Sequence, residues 1–332
     1  NFAIFKTNEE NKNKLTLSNL LLFDTHISFS KKGVNIKWKT QESFFRFTEG
    51  NVTINAKLFS EKLIVHSRDY IHRKKMTLDI ALELKKDSIL IQKGSIVQIE
   101  NVKTELSGKI IQGKIINLDF ACEEQELINI INNTPEHLKS IYRSFQANGI
   151  VNCNGNIKGL VSNESNPHLD MICNIEKGNF NLKSRPFILK NISLSAKINN
   201  GEQKDFHNTK IEISDFDAKT ENGFLKGDFS IQNLNKYYLT ANLKSSWDLA
   251  EINHYFEDSP FYNLQGKLYA NTQYSGYISF DRKFTNYFLA ANYTSKTSFK
   301  EASFTYKSFP LGFNFNTAEC TFKNNQIEVK NS

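Results

Sequence analysis

Met76-Thr77-Leu78-Asp79-Ile80-Ala81-Leu82-Glu83-Leu84 decides the fold. Every second residue is large and apolar, and the residues between are small, polar or charged. A period of two puts each set on its own face of a strand, and one apolar face with one wet face is the behaviour of an antiparallel sheet. The same period recurs upstream in Val52, Ile54, Ala56 and Leu58, and downstream in Ile116, Leu118 and Phe120. It returns in Leu225, Gly227, Phe229 and Ile231, in Leu239, Ala241 and Leu243, and in Leu264, Gly266, Leu268 and Ala270. Between these runs lie Lys32-Gly33, Glu49-Gly50, Asn200-Gly201, Asn222-Gly223 and Asn324-Asn325, residues that tolerate the backbone of tight turns. Roughly twenty strands follow from this alternation.

Two stretches carry a helical period instead. Glu123 to Phe145 contains Thr134-Pro135-Glu136, an N-cap with proline at the first helical position. Leu138, Ile141, Tyr142 and Phe145 then form a stripe at i, i+3, i+4 and i+7. Ser246 to Phe256 carries Leu249, Ile252, Tyr255 and Phe256. In this reading Glu123, Glu124 and Glu126 complement the dipole at the first helix's N-terminus.

Both helical stretches precede matching landmarks. Gly149 and Gly159 follow the first, Gly266 and Gly276 follow the second, and the offset is 117 for each pair (266 − 149 and 276 − 159). Farther on, Phe180 to Phe187 matches Phe304 to Leu311, both holding Lys-Ser-x-Pro, at an offset of 124 (304 − 180). The repeating unit reads helix, glycine-bounded strand, return strand, short strand, Lys-Ser-x-Pro turn and further strands. Residues 1–120 form an N-terminal β segment, 121–245 a first repeat and 246–332 an incomplete second. Repeated supersecondary units favour an elongated architecture in which each packs on its neighbours.

In this ordered ensemble the chain resembles the AsmA-like superfamily, in the form common among Bacteroidetes-type bacteria. The resemblance is carried by Asp24-Thr25-His26-Ile27-Ser28-Phe29, by Met76 to Leu82, and by Pro135-Glu136-His137-Leu138 leading to Gly149, Gly159, Pro167 and Gly178. Asn191-Ile192-Ser193-Leu194 and Trp247-Asp248-Leu249 complete it. It implies a periplasmic protein held in the inner membrane by an N-terminal helix, and a long curved sheet forming a taco-like apolar groove. It also implies kinship with TamB and YhdP, which are linked to glycerophospholipid delivery to the outer membrane. The anchor is not in this sequence. Starting at Asn1 without methionine, the chain reads as a piece of a longer protein.

The chain has 332 residues, of which 39% are hydrophobic and 23% charged, enough apolar material for a packed core. No run of some 18 apolar residues exists, so no helix here is expected to span a bilayer. Two helical insertions also fit poorly with a transmembrane barrel. The net charge is +7, yet only 6 of the 42 cations are arginine. Readers of base sequence rely on bidentate arginine, so no nucleic-acid partner is expected. Nucleophile elbows, phosphate loops and paired zinc-binding histidines are all missing from the sequence, so neither an enzyme nor a cofactor nor a metal is expected. His66 and His72 read as part of a polar loop. The clusters Lys31-Lys32, Arg73-Lys74-Lys75 and Lys85-Lys86 read as charged strand ends, with anionic headgroups as the functional alternative.

Leu78, Ile80, Leu82, Leu118, Phe120, Leu225, Phe229, Ile231, Leu239 and Leu243 are the expected lining of a groove. Alternation alone allows a closed sandwich core as well; the repeat and the resemblance point to the groove. The expected function is non-enzymatic: binding and transfer of phospholipid between envelope membranes. The alternative is a structural or assembly protein that docks envelope proteins through its sheet edges. Four cysteines allow three full pairings. A hairpin centred on Asn163 sets Val151 opposite Ile175, Ile157 opposite Leu169, and Cys153 opposite Cys173. The last pair is then either a disulfide or two small buried apolar side chains.

Overall fold

The computed structural model describes residues 18–31, 33–65, 68–135, 145–162, 165–183, 187–255, 261–278, 290–324 and 326–330. Strands β1 (Asn19–Phe23), β2 (His26–Lys31), β3 (Val34–Thr48), β4 (Asn51–Val65), β5 (Arg68–Lys85), β6 (Ser88–Ile99), β7 (Val102–Ile111) and β8 (Ile115–Glu126) lead to helix α1 (Leu127–Asn133). Then come β9 (Phe145–Leu160), β10 (His168–Leu182), β11 (Phe187–Asn199), β12 (Lys210–Lys219), β13 (Phe224–Gln232) and β14 (Tyr238–Asp248), followed by α2 (Leu249–Tyr255). The chain finishes with β15 (Phe261–Tyr277), β16 (Asn292–Tyr306), β17 (Phe309–Lys323) and β18 (Gln326–Lys330). All eighteen strands belong to one long, open antiparallel sheet.

From β3 to β18 each strand pairs with the next in sequence. β1 and β2 lie end to end along β3, separated by a kink at Asp24, whose φ is 43°. The strands are longer than the alternating runs suggested, and β5 has 18 residues. Both helices, the turns at 99–102 and 219–224, and the strand ends Val65, Arg68, Leu182 and Phe187 lie along one rim of the sheet. The turns at 48–51, 85–88, 111–115 and 199–210, and the strand ends Leu160 and His168, lie along the other. Arg68, on the first rim, nevertheless donates to Asn166 on the second at 3.4 Å. A flat strand of 15 residues holds its ends about 50 Å apart, so the sheet is rolled into a trough whose rims approach here.

Bulges produce the roll. Eleven of the seventeen strand pairings contain a register shift, and each bulge bends and twists its strand. They explain the repeated landmarks. Between Ile150 opposite Glu176 and Asn148 opposite Asn179, β10 carries one extra residue, at Lys177 with φ 53°. Gly149 faces it with φ 142°, and a Cβ there would stand 2.9 Å from the Cα of Gly178. In β15 and β16 the same arrangement returns with Gly266, φ 95°, against Glu301, φ 49°. A Cβ on Gly266 would meet the Ala302 Cα at 2.7 Å. Six strands separate the two sites. The six before them, β3–β8, repeat the plan without a glycine, with the extra residue Glu61 on β4. The strands β3–β8 therefore carry the same six-strand phase as the two repeats.

The helices are shorter than the sequence indicated. Glu123–Glu126 extend β8, and Ser246–Asp248 extend β14. Glu123 and Glu124 are thus strand residues, with Glu124 at a bulge of φ 51°, so the dipole explanation fails for them. Glu126 is the N-cap, without a side-chain cap bond. Phe145 opens β9 and is not helical. Leu138, Ile141, Tyr142 and Phe256 lie outside the described residues. Lys-Ser-x-Pro follows the return strand directly, with no short strand between.

Candidate functional site

The inner face of the trough is the candidate site, and ladder pairing builds it one residue at a time. Directly opposed residues in an antiparallel sheet share a face. Val52 is opposite Leu82, Leu82 opposite Ile91, Ile91 opposite Gly108, Gly108 opposite Leu118, Leu118 opposite Ile157, and Ile157 opposite Leu169. Two residues along β10, Met171 is opposite Ile198, and the row continues through Ile211, Ile231 and Leu239 to Gly276. A parallel row runs Cys122, Cys153, Cys173, Ala196, Ile213, Phe229, Ala241, Tyr274, Tyr293. Leu78 and Ile80 share their strand's parity with Leu82, Phe120 with Leu118, Leu225 with Phe229, and Leu243 with Leu239. All ten residues expected from the sequence therefore lie on one continuous apolar face.

Each of the ten is half-buried, and none reaches the burial of a core residue. The packed apolar material falls into four small clusters on this face. They are centred on Ala56, Leu58 and Met76; on Leu189, Ile192, Phe216 and Ala218; on Ala241, Tyr274 and Ala291; and on Leu249, Leu264 and Ala302. Each joins only neighbouring elements, whereas two sheets closed into a sandwich would interdigitate side chains from strands remote in order. Leu249 of α2 is 2% exposed and packs beside Leu268 and Phe299 on the inner face, so α2 braces the groove at its rim. At α1, Asn133 donates to the Ile99 carbonyl at 3.3 Å and Lys74 to the Asn132 carbonyl at 3.1 Å, tying that helix across β5–β8.

The outer face is polar and carries asparagine side chains bonded between neighbouring strands. Asn156 donates to Asp119 at 2.8 Å and to Asn117 at 3.1 Å, Asn179 to Asn148 at 2.9 Å, and Asn55 to Asp79 at 2.8 Å. An open hollow of about 810 Å³ lies over β13–β18, lined by Lys226, Lys244, Asn271, Lys296 and Lys330, with Tyr269 on its floor. Lys226 is paired with Asp217 at 2.7 Å.

Cys153 and Cys173 are opposed as expected and form a disulfide with Cα atoms 4.2 Å apart. Cys122 and Cys320 are free, and burial pushes both thiols above their ordinary range. Pairing alone set Cys122 beside Cys153; sequence reasoning missed it because α1 interrupts that hairpin. Among the described residues, no group of three or more His, Cys, Asp or Glu is placed to hold a metal ion. Among the same residues, no helix is long and apolar enough to cross a membrane. Comparison with family models, curated proteins and solved structures finds no match for this chain.

Proposed function

We propose that the trough is a lipid-binding conduit of a bacterial envelope, carrying phospholipid acyl chains against its inner face while headgroups stay wet at the rims. The observation that carries this reading is the apolar row from β4 to β15, which shifts by two residues at β10 and is half-buried along most of its length. Eleven strand steps of about 4.8 Å make it about 50 Å long. One leaflet of bilayer hydrocarbon is only about 15 Å thick, half of the roughly 30 Å core. A pocket for a single lipid needs a fraction of this length, and a surface this long lets chains slide or queue. Each methylene moved from water onto such a face is worth about 0.8 kcal/mol, so no covalent chemistry is required. The Cys153–Cys173 bond suits an oxidising compartment such as the periplasm. The resemblance to AsmA-like proteins, with their inner-membrane anchor, points the same way.

Mass spectrometry of lipid extracted from the purified protein tests the reading. Phospholipid in stoichiometric or greater amount is the expected result. A lipid-free protein that retains tightly bound envelope proteins would replace it with the assembly role.

A further inference from the structure

Three cysteines stand in one row on three adjacent strands. Cys122 on β8 is directly opposite Cys153 on β9, and Cys153 is directly opposite Cys173 on β10. All three belong to the inner face. Directly opposed residues place their Cβ atoms about 4.5–5.5 Å apart, close to the separation a disulfide needs, so Cys153 is within bridging range of both neighbours after small adjustment. Cys122 and Cys173 are two strand spacings apart, about 9.6 Å, too far to bond each other. The bond is now on the Cys173 side, while the Cys122 thiol is free and lies against the backbone N–H of Cys153.

We propose that Cys122, Cys153 and Cys173 form a thiol–disulfide exchange site in the groove floor, in which Cys153 trades its bond between β10 and β8. The Cys122 thiolate attacks Sγ of Cys153 from the side opposite Cys173. The Cys122–Cys153 bond forms as the Cys153–Cys173 bond breaks, and Cys173 leaves as a thiolate that takes up the proton Cys122 gave to water. Nothing is oxidised or reduced overall. The consequence is mechanical. The present bond spans 20 residues and pins the β9–β10 hairpin. The exchanged bond spans 31 residues (153 − 122) and closes the segment that contains α1, locking that helix to the rim. The probability of closing a loop falls with about the three-halves power of its length, so the two closures differ only about twofold. The ladder is therefore poised between two staples, and the shape of the groove decides which is held.

The test uses the full chain with Cys320→Ser, so that no unrelated thiol reports. The protein is held at mildly alkaline pH without reductant, alkylated, digested and mapped by mass spectrometry. Cys122–Cys153 and Cys153–Cys173 peptides are both expected, within about tenfold of one another, with Cys173 alkylated in the first species. Oxidised glutathione should drive a Cys173→Ser variant to Cys122–Cys153, and a Cys153→Ser variant should leave Cys122 and Cys173 unbonded to each other. A wild-type ladder that yields only Cys153–Cys173 after prolonged incubation overturns the proposal, and that measurement needs no variant of the ladder to fold. So does a folded Cys173→Ser protein whose Cys122 stays fully alkylatable.

Discussion

Replacing Ile80 with aspartate separates an open groove from a closed core more sharply than any other single change. Ile80 is in the middle of β5, directly opposite Ile54, with Leu78 and Leu82 two residues away on the same face. It is half-buried. Fully burying an isoleucine is worth about 1.5–3 kcal/mol, so half-burial puts the loss near 1–1.5 kcal/mol. The poorer strand propensity of aspartate adds up to about 1 kcal/mol. The carboxylate can turn toward water in the open trough, so the folded protein should lose only about 2 kcal/mol. In a closed core the same charge would add several kcal/mol for desolvation without a partner. Ligand binding should suffer more. If the charge excludes three methylenes of an acyl chain from this wall, the loss is about 2.4 kcal/mol, or roughly fifty-fold in affinity. Urea unfolding followed by circular dichroism measures the first number; titration with a fluorescent fatty acid, alongside lipid copurification, measures the second. A variant that is unfolded, or more than about 4 kcal/mol less stable, would refute the open trough. A stable variant with unchanged lipid binding would refute the role of this face.

Five further substitutions and one pH profile test the same geometry. Leu249→Ala, which empties a site only 2% exposed, should cost about 2–4 kcal/mol in urea unfolding, while Ile128→Ala at the 40%-exposed face of α1 should stay within about 0.5 kcal/mol. Gly149→Ala should lose at least about 2 kcal/mol, because its φ of 142° and the 2.9 Å approach to Gly178 both exclude a side chain, whereas Gly312→Ala meets nothing within 4 Å and should be neutral. Ser60→Ala should be neutral or slightly stabilising, since its fully buried hydroxyl has no hydrogen-bond partner among the described residues. Burial raises the thiols of Cys122 and Cys320, so both carry less thiolate at a given pH than a free cysteine. Their alkylation should therefore still be rising with pH at pH 9 more steeply than that of an ordinary thiol of pKa about 8.5, which has begun to level off.

The hairpin around Asn163 marks how far a sequence alone can be read. Apolar alternation and the Cys153–Cys173 symmetry predict every pair from Ile157 opposite Leu169 to Val151 opposite Ile175, and those pairs are present. Beyond Glu176, which is still opposite Ile150, the symmetry breaks, because Lys177 is an extra residue and Asn148 meets Asn179. Gly149 was visible as a landmark, but its role depends on the neighbouring backbone, which no local pattern reports. The same limit hid the start of α1. The bulge at Glu124 reverses the alternation between Cys122 and Gln125, so a continuing strand reads as a change of period. It also hid the six-strand phase of β3–β8, where Glu61 makes the bulge without glycine or proline to announce it. The lining residues were legible because each lies in a run free of bulges along its own strand. Whether their face is open depends on contacts between distant strands, which alternation does not encode.

The bulges also explain how a sheet of this length can exist without closing. A regular sheet with about 20–25° of twist between strands would turn through roughly a full circle over eighteen strands, and its apolar face would not stay on one side. An extra residue on one strand of a pair, recurring at Glu61, Lys177 and Glu301, bends the strands inward at the start of each six-strand set. The curvature is thereby spent across the strands, rolling rim toward rim, while the apolar rows run on along the sheet from Val52 to Gly276. At two of these three bulges the facing residue is a glycine with no room for a Cβ, Gly149 and Gly266. Glu61, Lys177 and Glu301 are charged, so the residue forced out of the ladder is one that water solvates well. The repeat is therefore a unit of curvature as much as of sequence. Lengthening such a trough needs another six strands with a bulge like that of Lys177 on the second of them and further bulges placed so that the inner rows stay in register.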